Sequence, residues 1–129
     1  MNIVMIDSAQ LVGDVDFPDV NLIKYGWLQY LGLGADELEE RCWRADIIIS
    51  VNTPVPREVM EKCFKLQLLI AAGDKYDHFD QAACAERGIQ ISHVPGITGD
   101  NAGNSQAIAD QVVANINAWL EKKPLNIVT

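Results

Sequence analysis

A chain of 129 residues, 49% apolar and 22% charged, can close one hydrophobic core without disulfides or metals, and its composition excludes a disordered or fibrous protein. Its net charge of −8, with ten Lys and Arg scattered along the sequence, excludes the one-sided basic surface that nucleic acid requires. No run approaches the ~18 apolar residues of a membrane span, and the opening MNIVMID lacks the basic and apolar regions of a signal peptide. The expected setting is the cytoplasm, with neither nucleic acid nor membrane as partner.

Residues 3–6, rich in β-branched side chains and halted by Asp7 and Ser8, read as a buried parallel strand. The following loop holds Gly13 and Pro18, and residues 21–25 read as a weaker strand that Gly26 breaks. In residues 35–43, ADELEERCW, Leu38 and Cys42 share a face while acids fill the first turn, where the helix dipole favours them. DIIISV at 46–51 is the clearest strand. Pro54 and Pro56 mark the turn after it, Pro56 suits the first helical position, and Val59, Met60, Cys63 and Phe64 give the next helix its apolar face.

Residues 68–72 form the next strand, ended by Gly73. Asp80 is placed to cap a short helix, 81–87, whose C-terminal glycine is Gly88. Residues 89–94 return as a strand that Pro95 and Gly96 terminate. A last helix follows, capped by Asn104 or Ser105, with Ile108, Val112, Ile116, Trp119 and Leu120 along one apolar stripe. Strands alternating with helices predict an α/β fold: a flavodoxin-like three-layer sandwich with a five-stranded parallel sheet in order 2-1-3-4-5 and helices on both faces.

Cys42, Cys63 and Cys84 form an odd set without a CxxC pair, and read as small buried apolar residues in a reducing compartment rather than as a metal site. His78 in YDHFD reads as fixing its turn, His93 as a core-edge residue, Asp77 as a turn former and Asp80 as a cap. Two other functions use this fold. A phosphoacceptor receiver would need acids after the first and third strands, where the chain has Asp7 but Asn52. A flavodoxin would need a hydroxyl-rich loop after the first strand, where Ser8-Ala9-Gln10-Leu11 offers one hydroxyl.

The continuous run from ADIIISVNTPVP through LLIAAGDKYDHFDQAACAERGIQISHVPG resembles the substrate domain of D-2-hydroxyacid dehydrogenases, nearest to glycerate dehydrogenase (hydroxypyruvate reductase). In that family the chain leaves the substrate domain after VPG, builds a Rossmann domain, and returns with a helix that completes the first domain. AGNSQAIADQVVANINAWLEKKPLNIV is similar to the returning helix. The resemblance therefore divides a single domain, 1–129, into an N-terminal part at 1–96, a junction at 97–104 replacing the nucleotide-binding domain, and a returning helix and tail at 105–129. Whether such a deletion is natural or engineered stays open.

The family interconverts 2-hydroxy and 2-oxo acids by hydride transfer with NAD or NADP. Within these residues there is no GxGxxG to cradle a dinucleotide. The family's catalytic arginine and glutamate belong to the missing domain, and its Pro-His motif corresponds here to Gly99-Asp100-Asn101-Ala102. The resemblance thus implies no catalytic, cofactor-binding or metal-binding residue in this chain, and no turnover by it alone.

One family function can persist: weak binding of small 2-oxo or 2-hydroxy carboxylates on backbone N–H groups of the loop after the fourth strand, Ala72, Gly73, Asp74, Lys75 and Tyr76, with Asn52 facing the same edge. Where the family often reads GTGYDHVD, this chain reads GDKYDHFD. Asp74 and Lys75 depart from the pattern, at a cost if either adopts positive φ. The alternative is a non-catalytic interaction or self-associating module. The chain is expected as a monomer or a domain-swapped dimer, the short GDNAGNS connection permitting either.

Overall fold

The computed structural model describes residues 1–97 and 101–128. The elements run β1 (Asn2–Met5), β2 (Gly26–Gln29), α1 (Ala35–Cys42), β3 (Ile47–Ser50), α2 (Arg57–Lys62), β4 (Leu68–Ala71), α3 (Gln81–Arg87), β5 (Gln90–Ser92) and α4 (Ala102–Leu120). They form one five-stranded sheet, β2-β1-β3-β4-β5, in which every neighbouring pair is parallel. This is the predicted order.

All four residues of β3 and of β4 are buried, as required of central strands covered on both faces. Side chains alternate between two core clusters. Val4, Ile48, Leu69 and Ile91 meet α1, α2 and α3 through Leu38, Cys42, Val59, Met60, Ala83 and Cys84. Ile3, Met5, Ile47, Ile49, Leu68 and Ile70 face the other way, onto Ile108, Val112, Val113 and Ile116 of α4 and onto Leu11 and Val20 of the loop after β1. The second face is thus closed by α4 and that loop, so the final helix is integral to the core.

Local signals placed α3 as expected: Asp80 Oδ1 accepts from the Ala83 N–H at 3.0 Å, and Gly88 closes the helix at φ +68°. Four expectations are corrected. The second strand is residues 26–29, not 21–25. Leu22 and Tyr25 instead pack on the second core cluster from a loop that the Tyr25 hydroxyl braces by accepting from the Val20 N–H at 3.2 Å. Gly26 opens the strand opposite Asn2, where a Cβ would come within 3.1 Å of Asn2 Oδ1. Pro56 is the N-cap rather than the first helical residue, its backbone still extended.

Phe64, expected on the buried face of α2, lies beyond the Cys63 cap and is 64% exposed, its ring 6.3 Å from Trp43. The cap of α4 is Asn101, whose side chain accepts from the Asn104 N–H at 2.8 Å. The helix consequently begins one turn early, and Ser105 is buried with its hydroxyl accepting from the Val12 N–H at 3.1 Å. Residues 98–100 of the expected junction, including Gly99 and Asp100, lie outside the described residues.

Beyond α4 the chain turns through Lys122 and Asn126, both at positive φ, and lays its tail beside β5. Ile127 pairs antiparallel with Ser92, and the Val128 N–H donates to the Ile91 carbonyl at 2.9 Å. The bare side of β5 is thereby covered, which blunts one sheet edge.

Cys42, Cys63 and Cys84 are free and buried. Burial first, then the neighbouring Cys63, pushes the Cys42 thiol up to about 12, and burial pushes Cys63 and Cys84 each up to about 11. Their ordinary value is 9.0, so they favour the folded state fully below pH 9 and lose that contribution as pH rises through about 11 to 12. A disulfide reagent at pH 8 is expected to leave all three thiols unmodified in the native protein and to titrate all three in guanidinium. Modification of the native protein at the free-cysteine rate would contradict their placement.

Candidate functional site

In an open parallel sheet the loops leaving the carboxyl ends of the strands surround a crevice. Here those exits form a cavity of about 560 Å3 walled by Gln10 and Leu11 after β1, Val51 and Asn52 after β3, and Ala72 to Lys75 after β4, with Asp77, His78, Ile97 and Ile108 completing it. Five of the six expected site residues, Asn52, Ala72, Gly73, Asp74 and Lys75, surround this space. Tyr76 does not line it. Its ring packs on the first core cluster and meets His93 edge-on, with centroids 5.2 Å apart.

The exits of β3 and β4 are adjacent and in register, Ser50 beside Ala71, yet their backbone donors have opposite fates. After β3, the buried Asp7 carboxylate takes them: Oδ1 accepts from the Val51 N–H at 2.8 Å, and Oδ2 from the Asn52 and Thr53 N–H groups at 3.0 Å each and from Thr53 Oγ1 at 2.7 Å. Asn52 can therefore offer a ligand only its side chain, whose Nδ2 donates to Gln10 Oε1 at 3.3 Å.

After β4 the carbonyls are held instead. The Val94 N–H donates to the Gly73 carbonyl at 2.9 Å, and His93 Nδ1 donates to the Asp74 carbonyl at 2.8 Å. A trans peptide directs its N–H opposite to its C=O, so these two bonds turn the Asp74 and Lys75 N–H groups away from β5. Among the described residues, the N–H groups of Gly73, Asp74, Lys75 and Tyr76 meet no protein acceptor. Successive free N–H groups of this kind attract an anion.

Neither departure from the GTGYDHVD pattern strains the backbone, since the described non-glycine residues at positive φ are Lys122 and Asn126. The Asp74 carboxylate is drawn aside by the Gly96 N–H at 3.4 Å. Lys75 is exposed and makes no ion pair among the described residues, so its ammonium adds positive charge at the rim.

His78 holds the opposite rim. Its Nε2 donates to the Ser50 carbonyl at 3.3 Å and its ring lies tilted against Phe79, with centroids 4.3 Å apart. Burial outweighs the Ser50 bond and the Asp7 and Asp77 charges, and pushes its pKa below the ordinary 6.5. The ring is neutral at pH 7 and anchors the turn, as expected from the sequence. Its place on the cavity wall, and that of Gln10, Asp77 and Ile97, was not expected.

A dinucleotide pyrophosphate needs free N–H groups in the loop after the first strand. That loop is a 3-10 turn whose donors are spent: Ser8 and Ala9 donate to the carbonyls of Tyr30 and Leu31 at 3.0 and 3.1 Å, and Gln10 and Leu11 to those of Asp7 and Ser8. The turn does not fit a dinucleotide. Among the described residues no group of three or more His, Cys, Asp or Glu is placed to hold a metal ion, and no helix is long and apolar enough to cross a membrane.

Comparison with known proteins gives a consistent result. The sequence model described as "D-isomer specific 2-hydroxyacid dehydrogenase, catalytic domain" matches residues 8–129. A hydroxypyruvate reductase from Blautia hydrogenotrophica is 30% identical over 99 residues, covering 74% of this chain and 30% of that protein. A D-3-phosphoglycerate dehydrogenase from Methanocaldococcus jannaschii is 37% identical over 65 residues, covering 50% of this chain and 12% of the relative. Among solved structures, the NAD+-bound 3-phosphoglycerate dehydrogenase of Entamoeba histolytica superimposes with a TM-score of 0.59 at 21% identity, covering 74% of this chain and 33% of its own, a likeness of fold. The chain thus spans at most about a third of the length of these relatives.

Proposed function

Because this chain belongs to the D-isomer specific 2-hydroxyacid dehydrogenase family, by the catalytic domain, we propose that it is a substrate domain whose nucleotide-binding companion was lost between residues 96 and 105. In this reading the parent is a cytoplasmic enzyme of the glycerate dehydrogenase type, interconverting 2-hydroxy and 2-oxo acids with NAD or NADP. What persists is the substrate end: a small 2-oxo or 2-hydroxy carboxylate rests on the open N–H groups of residues 73–75, next to Tyr76, with Lys75 adding attraction and Asn52 facing it across the cavity.

The observation that carries the reading is the contrast between the two strand exits. Asp7 occupies the donors after β3, while among the described residues those after β4 meet no protein acceptor and lie beside a cavity with Lys75 at its rim. With so few groups engaged, the affinity is about millimolar, roughly −4 kcal/mol. Hydride transfer needs a nicotinamide and an acid–base group at the substrate oxygen. The turn after β1 does not fit the first, and Asn101, beside the position of the family's histidine, is a helix cap without a titratable group. The chain is a monomer, or a dimer exchanging α4.

Purified, folded chain is expected to oxidise no NADH above background with hydroxypyruvate or glyoxylate. Turnover that survives repurification would overturn the assignment.

A further inference from the structure

We propose that Asp7 is a positioning and selectivity residue of this site: its carboxylate fills an anion-binding nest at the exit of β3 and so confines a ligand carboxylate to the exit of β4. The inference rests on the ligand reading above and adds to it the reason why one of two neighbouring nests is available.

The Asp7 side chain is 1% exposed and accepts four hydrogen bonds, three from consecutive backbone N–H groups and one from the Thr53 hydroxyl. Among the described residues no Lys, Arg or His pairs with it within ion-pair distance. A buried carboxylate without a cation must draw its stabilisation from such dipoles. Those donors would serve any carboxylate equally well, because they recognise two oxygens and a charge rather than the side chain that carries them.

The nest also borders the ligand space, since Val51 and Asn52 line the cavity. Left empty, it would offer a second carboxylate site one strand away, roughly 5 Å from the first, and a ligand could dock in two registers. Asp7 closes that alternative. The same contacts hold residues 51–53 still, which fixes Asn52 against Gln10. Asp7 touches no ligand in this scheme and acts through the loop it occupies.

Substitution Asp7→Ala should convert the internal ligand into an external one. The test titrates sodium formate into 15N-labelled wild-type and Asp7→Ala chains, with sodium chloride as the ionic-strength control. In Asp7→Ala, formate is expected to shift the amides of Val51, Asn52 and Thr53 saturably and to raise the lowered melting temperature. In the wild type it should do neither at those amides. Glyoxylate should likewise move both strand exits in the variant and only residues 73–76 in the wild type. A folded Asp7→Ala chain whose three amides ignore formate would overturn the proposal.

If Asp7→Ala folds only with formate present, that rescue supports the nest directly. If it folds in neither condition, Asp7→Asn decides, because its carboxamide turns one acceptor into a donor. The carboxamide oxygen keeps the three donors of Oδ2 and its nitrogen faces the Val51 N–H, so amide exchange at Val51 is expected to be at least roughly tenfold faster than in the wild type, and unchanged exchange at Val51 would overturn the proposal. The absence of any wild-type response to glyoxylate at residues 73–76 would instead refute the ligand reading, while leaving the formate result on the nest standing.

Discussion

A chain carrying Ile108→Ala and Ile116→Ala together is expected to be largely unfolded in buffer at 25 °C. Both residues are fully buried against one face of the sheet, and each truncation deletes packed atoms and leaves a cavity, costing about 2–4 kcal/mol. Two turns of helix separate them, roughly 12 Å, so the costs should add to about 4–8 kcal/mol. That approaches the whole stability of a small domain, about 5–15 kcal/mol. The penalty is large because no other helix among the described residues covers Ile3, Met5, Ile47, Ile49 and Ile70. Urea unfolding followed by circular dichroism measures it. A double variant within about 1 kcal/mol of wild type, well below even one truncation, would show that α4 does not close this core.

The second large effect is expected at Asn115. This buried side chain joins three elements: Nδ2 donates to the His93 carbonyl at 2.9 Å, while Oδ1 accepts from Gln111 Nε2 at 2.8 Å and Asn126 Nδ2 at 3.0 Å. Asn115→Ala leaves the His93 carbonyl and the Asn126 amide without these partners, which costs about 2–3 kcal/mol. The loss should be greatest where the tail meets β5. Hydrogen exchange at Val128, whose N–H is bonded to Ile91, should rise more than exchange at β3 or β4. A uniform rise over the whole sheet would assign Asn115 a general packing role instead.

The sequence revealed those parts of the structure whose causes are local. Unbroken apolar runs marked β3 and β4, and Asp80 with Gly88 bounded α3 because a cap and a left-handed glycine act within one turn. The site loop was legible because GDKYDHFD keeps enough of a family pattern to be placed after β4. Its freedom from strain was not, since φ depends on how the Gly73 and Asp74 carbonyls are held by Val94 and His93.

Misreadings fell where distant contacts overrule local preference. Residues 21–25 look like a strand, yet Leu22 and Tyr25 gain more by packing over the second core cluster, and Gly26 fits closely beside Asn2. Ser105 looks like a helix cap, but its hydroxyl serves Val12, 93 residues away in sequence. Asp7 is the sharpest case. An acid just after a strand suggested at most a receiver-like site, and nothing near it in sequence points to donors 44 to 46 residues on.

Whether a small carboxylate binds at the exit of β4 is decided by titrating 15N-labelled chain with glyoxylate and following each amide. Saturable shifts are expected at Gly73, Asp74, Lys75 and the adjoining Tyr76, half-complete near about 1 mM, with the Asp7-bound amides of Val51, Asn52 and Thr53 little moved. Shifts confined to other loops, or none while the domain stays folded, would contradict binding there.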